Sequence, residues 1–206
     1  LSTTQIYTHV SVEKMKKEVK KKWALIAALS AALCVALGIL YLITLPALEL
    51  KDNVILIMNT NKSRSLVTSK YNERCDECGK GLKLIQDNYK NVNFLCDLEE
   101  SDLTEIKNII SDEIIYKRVH HVITEMDRVK KTYKALNEGN LELVGKMLNS
   151  SHKSLKEDYE VTGLELDTIV ELAQKVEGVL GARMIGAGFA GCAIAIVNKN
   201  SVLDVI

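Results

Sequence analysis

The sequence of residues 46–206 predicts a domain of the α+β class. Three short, mainly apolar runs are typical of strands: Asn53–Met58, Val179–Met184 and Cys192–Val197. Between the first and second runs lie longer segments in which apolar residues recur at helical spacing: 70–86, 101–110, 116–137, 141–159 and 165–176. Strands and helices are therefore both expected, with the helices grouped in the middle of the domain.

Local signals place several helix ends. Ser101 or Asp102 is expected to cap the helix that follows, because a short polar side chain there can accept hydrogen bonds from free amides. Gly139 and Asn140 are expected to separate two long helices. Within the first of these, one apolar stripe at three- and four-residue spacing predicts a buried face: Val122, Met126, Val129 and Tyr133.

Composition limits the classes of partner and setting. The chain has 206 residues, with 27 basic and 27 acidic side chains, and this balance argues against a general nucleic-acid surface. Five cysteines at irregular spacing favour a reduced, cytoplasmic setting. Cys75 and Cys78 form a Cys-x-x-Cys pair, but no second pair completes a zinc site, so no metal is expected there.

Two segments of different composition precede the domain. Residues 1–22 are polar and then rich in lysine, whereas residues 23–45 carry no charge and exceed the roughly 20 residues needed to cross a bilayer as a helix. Residues 23–45 are therefore predicted to form a long hydrophobic helix, a candidate transmembrane segment whose lysine-rich flank would stay in the cytoplasm. The alternative is a buried helix of a soluble protein.

The first eleven residues resemble the C-terminal tail of tyrosine recombinases. In that family Tyr7 would be the nucleophile that attacks a DNA phosphate. In that family the catalytic arginines and histidine come from a region far upstream of the tyrosine, which has no counterpart here. A tyrosine without them stays protonated near neutral pH. DNA cleavage and a nucleic-acid partner are therefore not expected, and a relic tail is favoured.

A glycine-rich segment, residues 186–191, matches the pattern Gly-x-Gly-x-x-Gly. A dinucleotide-binding site needs a helix after this pattern, but here an apolar run typical of a strand follows, so that assignment is rejected. What remains is a glycine turn between two strands. Its backbone amides could approach an anion, or the turn could pack tightly against a neighbouring helix; the residues leave both interpretations open.

Several segments resemble galactokinases, within the GHMP family of small-molecule kinases. They occur in the family's order over about 160 residues: Ser69–Arg74, His121–Glu125, Ser151–Gly163 and Gly181–Cys192. The resemblance implies a ferredoxin-like C-terminal domain with several long helices and ATP-dependent phosphorylation of galactose at its 1-hydroxyl, with Mg²⁺. It also implies that Tyr71 contacts the sugar and that Gly186, Gly188 and Gly191 lie beside the phosphates of ATP.

The sequence also departs from the galactokinase pattern at both ends of the domain. No part of the sequence resembles the family's N-terminal half, which carries the ATP loop and the catalytic aspartate, and the final helix and strand look truncated after Ile206. The chain alone is therefore expected to be inactive and to need that half as a partner. The alternative is a non-catalytic composite or remnant protein.

Two further expectations follow from the resemblance. Ala190 stands where the family usually has glycine, and its methyl group is expected to strain the turn. Apolar surface left without the N-terminal half should promote self-association. The family's location is cytoplasmic, whereas insertion of residues 23–45 would make the protein membrane-associated and place the domain away from ATP.

Overall fold

The computed structural model describes residues 49–62, 67–89 and 91–205, all within one compact unit, Ala47–Ile206. The predictions for residues 1–22 and 23–45, including Tyr7 and the hydrophobic helix, lie outside these ranges. Within them, no helix combines the length and the apolar character that a membrane crossing requires.

The described elements confirm the α+β class. The strands and helices follow in this order: β1 Asn53–Asn59, α1 Val67–Gln86, α2 Leu103–Ile109, α3 Glu113–Asn137, α4 Leu141–Glu157, α5 Leu164–Ala173, β2 Val179–Ile185, β3 Cys192–Asn198 and α6 Val202–Val205. Each predicted strand and helix therefore occurs, with ends displaced by a few residues.

The three strands form one antiparallel sheet in the order β1-β3-β2. In the central row Leu56 of β1 pairs with Ala195 of β3, which pairs with Ala182 of β2. Small side chains on one face of β2 and β3 leave room for α4 and α5, whose apolar residues complete a core: Leu155, Leu166 and Val170 with Ala182, Met184, Ala193 and Ala195.

Helix α4 contacts β2 at very short range through two glycines. A Cβ on Gly145 would lie 2.2 Å from the carbonyl oxygen of Leu180, and one on Gly181 would lie 2.1 Å from the carbonyl oxygen of Gly145. Backbone therefore packs directly on backbone, and no side chain larger than hydrogen fits at either position.

A second core joins α1 to α3. It contains fully buried aliphatic side chains from both helices and from α2: Ile85, Ile106, Val119 and Ile123. Gly81 lets α1 approach closely here, since a Cβ at this position would lie 2.4 Å from a methyl carbon of Val119.

The predicted boundary between two long helices at Gly139 and Asn140 is confirmed. Asn140 accepts a hydrogen bond from the amide of Leu143 (3.0 Å) at the start of α4, and Gly139 before it has φ of +66°. A side-chain cap from Ser101 or Asp102 was predicted for α2, which is wrong: Asp102 occupies the N-cap position, but no side-chain capping hydrogen bond is made there. A 3₁₀ turn precedes α2, and the Asp102 carboxylate instead accepts a hydrogen bond from the amide of Glu99 at 2.8 Å.

The predicted buried stripe of α3 is also wrong. Val122 and Met126 are half-buried, but Val129 is 55% exposed and Tyr133 is 49% exposed. Because α1 and α4 both pack on α3, its buried surface lies on different residues, several of them polar: Ile115, Arg118, Val119, His121, Ile123 and Thr124. Buried hydrogen bonds allow these polar side chains to occupy the interior.

Candidate functional site

The glycine turn connects β2 to β3, and the residues that follow it form a strand, which confirms the rejection of a dinucleotide-binding motif. Positive φ angles occur at Gly186 (87°), Gly188 (84°) and Gly191 (101°), and also at Phe189 (59°). Ala190 is buried, and its φ does not lie in the left-handed region. The expectation that its methyl group strains the turn is therefore wrong.

The three glycines differ in their surroundings. Gly186 is exposed, and a Cβ there would meet no atom within 4 Å. Gly188 is buried, and a Cβ there would lie 2.0 Å from the carbonyl oxygen of Val161, which also accepts a hydrogen bond from the amide of Phe189 at 2.7 Å. The turn is thus tightly packed at Gly188, against the segment that follows α4 rather than against a helix, and open at Gly186.

The end of the turn is hydrogen-bonded to Thr60, which directly follows β1. The amide of Gly191 donates to the hydroxyl oxygen of Thr60 at 3.2 Å, and the amide of Thr60 donates to the carbonyl oxygen of Gly191 at 2.9 Å. The amides of Ala187 and Gly188, by contrast, donate to no acceptor in the described part of the chain. Donors without an acceptor beside an exposed glycine are what an anion-binding turn requires.

The start of α1 lies beside this turn. The ammonium group of Lys70 is 5.9 Å from the centre of the Phe189 ring, within the range of a cation–π contact. The next residue, Tyr71, is 52% exposed. The first turn of α1 therefore lies close to Phe189 of the glycine turn.

A buried ionic network supports both segments, and sequence reasoning did not find it. Arg118 of α3 is 1% exposed; its guanidinium donates to Glu77 of α1 (2.7 Å), to Glu160 (2.8 Å) and to the carbonyl oxygen of Asp158 (2.5 Å). Arg74 also donates to Glu77, at 2.5 Å. Burial raises the pKa of Glu77, but hydrogen bonds from the two arginines outweigh burial and hold it below its ordinary value.

This network connects the two halves of the candidate site. Glu77 lies on the same helix as Tyr71. Glu160 directly precedes Val161, whose carbonyl oxygen accepts a hydrogen bond from the amide of Phe189. Arg118 therefore fixes α1 relative to the segment on which the glycine turn rests. An arginine in a helix usually lies at the surface, so the sequence pattern offered no signal of this role.

A second polar cluster lies between α3 and α4. The Nδ1 atom of His121 is 3.0 Å from the hydroxyl oxygen of Ser154, which donates to Asp158 at 2.8 Å, and the imidazole stacks on the ring of Tyr159 at 4.5 Å. Burial lowers the pKa of His121 to about 4, so the ring is neutral near pH 7. Because Ser154 donates its proton to Asp158, His121 is not placed to activate it as a nucleophile.

The exposed half of the predicted α3 stripe lines a pocket of about 290 Å³. At one end the carboxylate of Glu125 accepts hydrogen bonds from Ser151 (2.6 Å), Arg128 (2.7 Å) and Arg183 (3.0 Å). Two guanidiniums share this carboxylate, and although burial alone would raise the pKa of Glu125, these hydrogen bonds and charges lower it. The cluster joins α3, α4 and β2 and leaves Val129 as apolar lining.

The cysteine pair lies on α1, as predicted. Cys75 is exposed and Cys78 is half-buried, with its sulfur 3.8 Å from the hydroxyl oxygen of Tyr159; both are free thiols. In the described ranges, no group of three or more His, Cys, Asp or Glu side chains is placed to hold a metal ion.

Comparison with known proteins identifies the family. A family model described as "GHMP kinases C terminal" matches residues 132–206. The chain is 56% identical over 151 residues to a galactokinase of Staphylococcus saprophyticus subsp. saprophyticus, covering 73% of this chain and 39% of the relative. It is 54% identical over 159 residues to a galactokinase of Clostridium perfringens, covering 77% and 41%.

A solved structure agrees with these relatives. The galactokinase of Lactococcus lactis, complexed with galactose, superposes with a TM-score of 0.74 at 50% identity, covering 77% of this chain and 40% of that one. The chain spans about two fifths of the length of the relatives it matches. It therefore belongs to the GHMP kinase family and carries the C-terminal part of that family's architecture, in the form found in galactokinases.

Proposed function

We propose that the chain forms the C-terminal part of a kinase that transfers the γ-phosphoryl group of ATP to the 1-hydroxyl of galactose. The observation that carries this proposal is an open glycine turn, residues 186–191, beside the helix turn of Tyr71. High identity to galactokinases supports galactose as the acceptor. The antiparallel order β1-β3-β2 suits a ferredoxin-like, split β-α-β domain.

In this proposal Tyr71 contributes an exposed phenol that hydrogen-bonds a sugar hydroxyl. Gly186 lets the phosphates of ATP approach the backbone, because no side chain blocks that approach. Gly188 and Gly191 maintain the shape of the turn through their contacts with Val161 and Thr60. The amides of Ala187 and Gly188 are available to donate to phosphate oxygens.

Phosphoryl transfer depends mainly on positioning and on neutralising phosphate charge. The described residues include no set of carboxylates placed to hold Mg²⁺, so we assign no Mg²⁺ ligand to this part of the chain. The N-terminal half of a galactokinase would supply the ATP loop and the catalytic aspartate. We place the reaction in the cytoplasm, where ATP is abundant.

The proposal is tested by assembly from two pieces. The 206-residue chain and the N-terminal half of the S. saprophyticus galactokinase are produced together, and ATP-dependent formation of galactose 1-phosphate is measured. Turnover above that of either piece alone is expected. A Tyr71→Phe variant should raise the KM for galactose without changing the KM for ATP, since the phenol contacts only the sugar. Absence of turnover in a complex that has demonstrably formed would contradict the proposal.

A further inference from the structure

Side chains, rather than a neighbouring strand, bind the outward-facing backbone of β2. In an antiparallel ladder alternate residues point their amides and carbonyls away from the paired strand, which for β2 is β3. The amide of Ala182 donates to the side-chain oxygen of Asn149 at 2.9 Å, and its carbonyl oxygen accepts from Gln174 at 3.1 Å. Gln174 also donates to the same oxygen of Asn149 at 2.9 Å, which joins the two side chains along the strand.

The next outward-facing residue, Met184, is bonded in the same way. Its amide donates to Nδ1 of His152 at 3.3 Å, and its carbonyl oxygen accepts from Nε of Arg183 at 3.0 Å. Because Nδ1 is the acceptor, the proton of the neutral ring lies on Nε2, which is 3.4 Å from Oδ1 of Asp167 in α5. His152 is 4% exposed, and burial lowers its pKa, so the imidazole stays neutral near pH 7 and keeps this acceptor.

The sequence of α4 explains why these side chains reach the strand. Gly145, Asn149 and His152 are spaced by four and three residues, so they share one face of the helix. The glycine allows α4 to contact the backbone of β2 directly. Asn149 and His152 then meet Ala182 and Met184, two alternate residues of β2 that point to the same side.

The bonded part of β2 leads directly into the glycine turn, since β2 ends at Ile185 and Gly186 follows. We propose that Asn149, His152 and Gln174 are positioning residues, which hold β2 in place and thereby fix where the glycine turn begins. That the turn receives the phosphates of ATP rests on the proposed function; that these side chains position the turn does not.

Burial makes these hydrogen bonds necessary. Ala182 is 0% exposed and Met184 is 1% exposed. A buried amide that loses its acceptor is costly because water does not replace the bond. Without Asn149 or His152, β2 would therefore have to shift towards solvent or another acceptor, and the turn that continues from it would shift as well.

The test compares three variants of the full 206-residue chain. Asn149→Leu removes the acceptor at nearly constant size, whereas Asn149→Asp keeps an oxygen acceptor and should restore the behaviour of the unmodified chain. Ser150→Leu is the matched control, because it adds the same side chain at the next, exposed residue of α4. If Asn149→Leu does not fold, Gln174→Met provides a milder test, since it removes only the donor to the carbonyl oxygen of Ala182.

Hydrogen exchange of single amides is the readout. The amides of Phe189 and Gly191 are bonded to Val161 and Thr60, so their protection reports the position of the turn. In Asn149→Leu we expect these two amides to exchange about ten-fold faster, together with those of Ala182 and Met184. The amide of Ile123, in the separate core of α1 and α3, should keep its rate.

Unchanged exchange at Phe189 and Gly191 in Asn149→Leu would overturn the proposal, because β2 would then be held without effect on the turn. Equal acceleration at Ile123 would also overturn it, since the side chain would then support the whole domain. So would equal effects of Asn149→Leu and Ser150→Leu.

Activity provides a second readout when the chain is assembled with the N-terminal half of the S. saprophyticus galactokinase. Asn149→Leu should raise the KM for ATP several-fold and leave the KM for galactose unchanged, because only the turn has moved. The same change in both KM values would contradict the proposal. Absence of turnover with the unmodified chain would contradict the proposed function alone, since the exchange rates still decide whether the turn is positioned by Asn149.

Discussion

Replacing Gly145 by alanine tests the closest contact in the domain, that between α4 and β2. The new Cβ would lie 2.2 Å from the carbonyl oxygen of Leu180, whereas ordinary contact begins near 3.4 Å. The obstructing atom belongs to the backbone of β2 and cannot rotate away. The helix and the strand would therefore have to separate by about 1 Å.

The size of the effect follows from two opposing contributions. Alanine is a better helix former than glycine by about 1 kcal/mol. Overpacking of a rigid interior typically costs 1–3 kcal/mol, and we take about 3 because backbone lies on both sides of the contact. Gly145→Ala should thus lower the free energy of unfolding by about 2 kcal/mol, which corresponds to about 4–8 °C in Tm for a domain of this size.

Gly79→Ala is the matched control. Gly79 also lies within a helix, α1, but it is exposed and a Cβ there would meet no atom within 4 Å. This variant should gain about 1 kcal/mol, and urea unfolding followed by circular dichroism compares the two. If Gly145→Ala were as stable as the unmodified chain, or if both variants lost stability equally, α4 and β2 would not be in the backbone contact described here.

Further predictions concern the ionic network, the buried imidazole and the glycine turn. Arg118→Met should lower the free energy of unfolding by about 1–3 kcal/mol, because Glu77 loses one of its two charged donors and the carbonyl oxygen of Asp158 loses the guanidinium, whereas the surface variant Lys153→Met should change it by less than about 0.5 kcal/mol; urea titration distinguishes them, and equal effects would contradict the burial of Arg118. The pKa of His121 is about 4 in the folded chain and about 6.5 when unfolded, so the unfolded chain binds more protons between these values. Stability should therefore fall by up to about 3 kcal/mol as pH drops from 6.5 towards 4, and a His121→Gln variant with undiminished pH dependence would refute this origin. Gly188→Ala should cost about 3 kcal/mol through its contact with backbone, and Gly186→Ala only about 1 kcal/mol through its positive φ; the reverse order in thermal melts would contradict the turn geometry.

The spacing of apolar residues was sufficient to predict the helices and strands, but not which face of each helix is buried. A helix over 116–137 was predicted because apolar residues recur at the right spacing, yet Val129 and Tyr133 are exposed. The actual interior of α3 includes Arg118 and His121, whose burial depends on Glu77 and Ser154 in other elements. These partners are distant in sequence, so the pattern of apolar residues within α3 cannot predict which of its polar side chains are buried.

At the candidate site, too, the sequence predicted the secondary structure but not the packing around individual residues. A turn between two strands was predicted for residues 186–191 from the apolar runs on either side, and the turn is present. The different surroundings of Gly186 and Gly188 were not predictable, since they depend on the position of Val161. The effect of Ala190 was misjudged because φ of an individual turn residue is set by the whole turn.

The pairing of β1 with β3 has a consequence for synthesis of the chain. About 130 residues separate Asn59 from Cys192 along the sequence. At ~5–20 residues per second, β1 leaves the ribosome roughly 7–27 s before the strand with which it pairs. During that interval a seven-residue apolar segment is available to nascent neighbours on the same messenger, so slow translation should lower the yield of native protein, and chaperones that bind extended apolar segments should raise it.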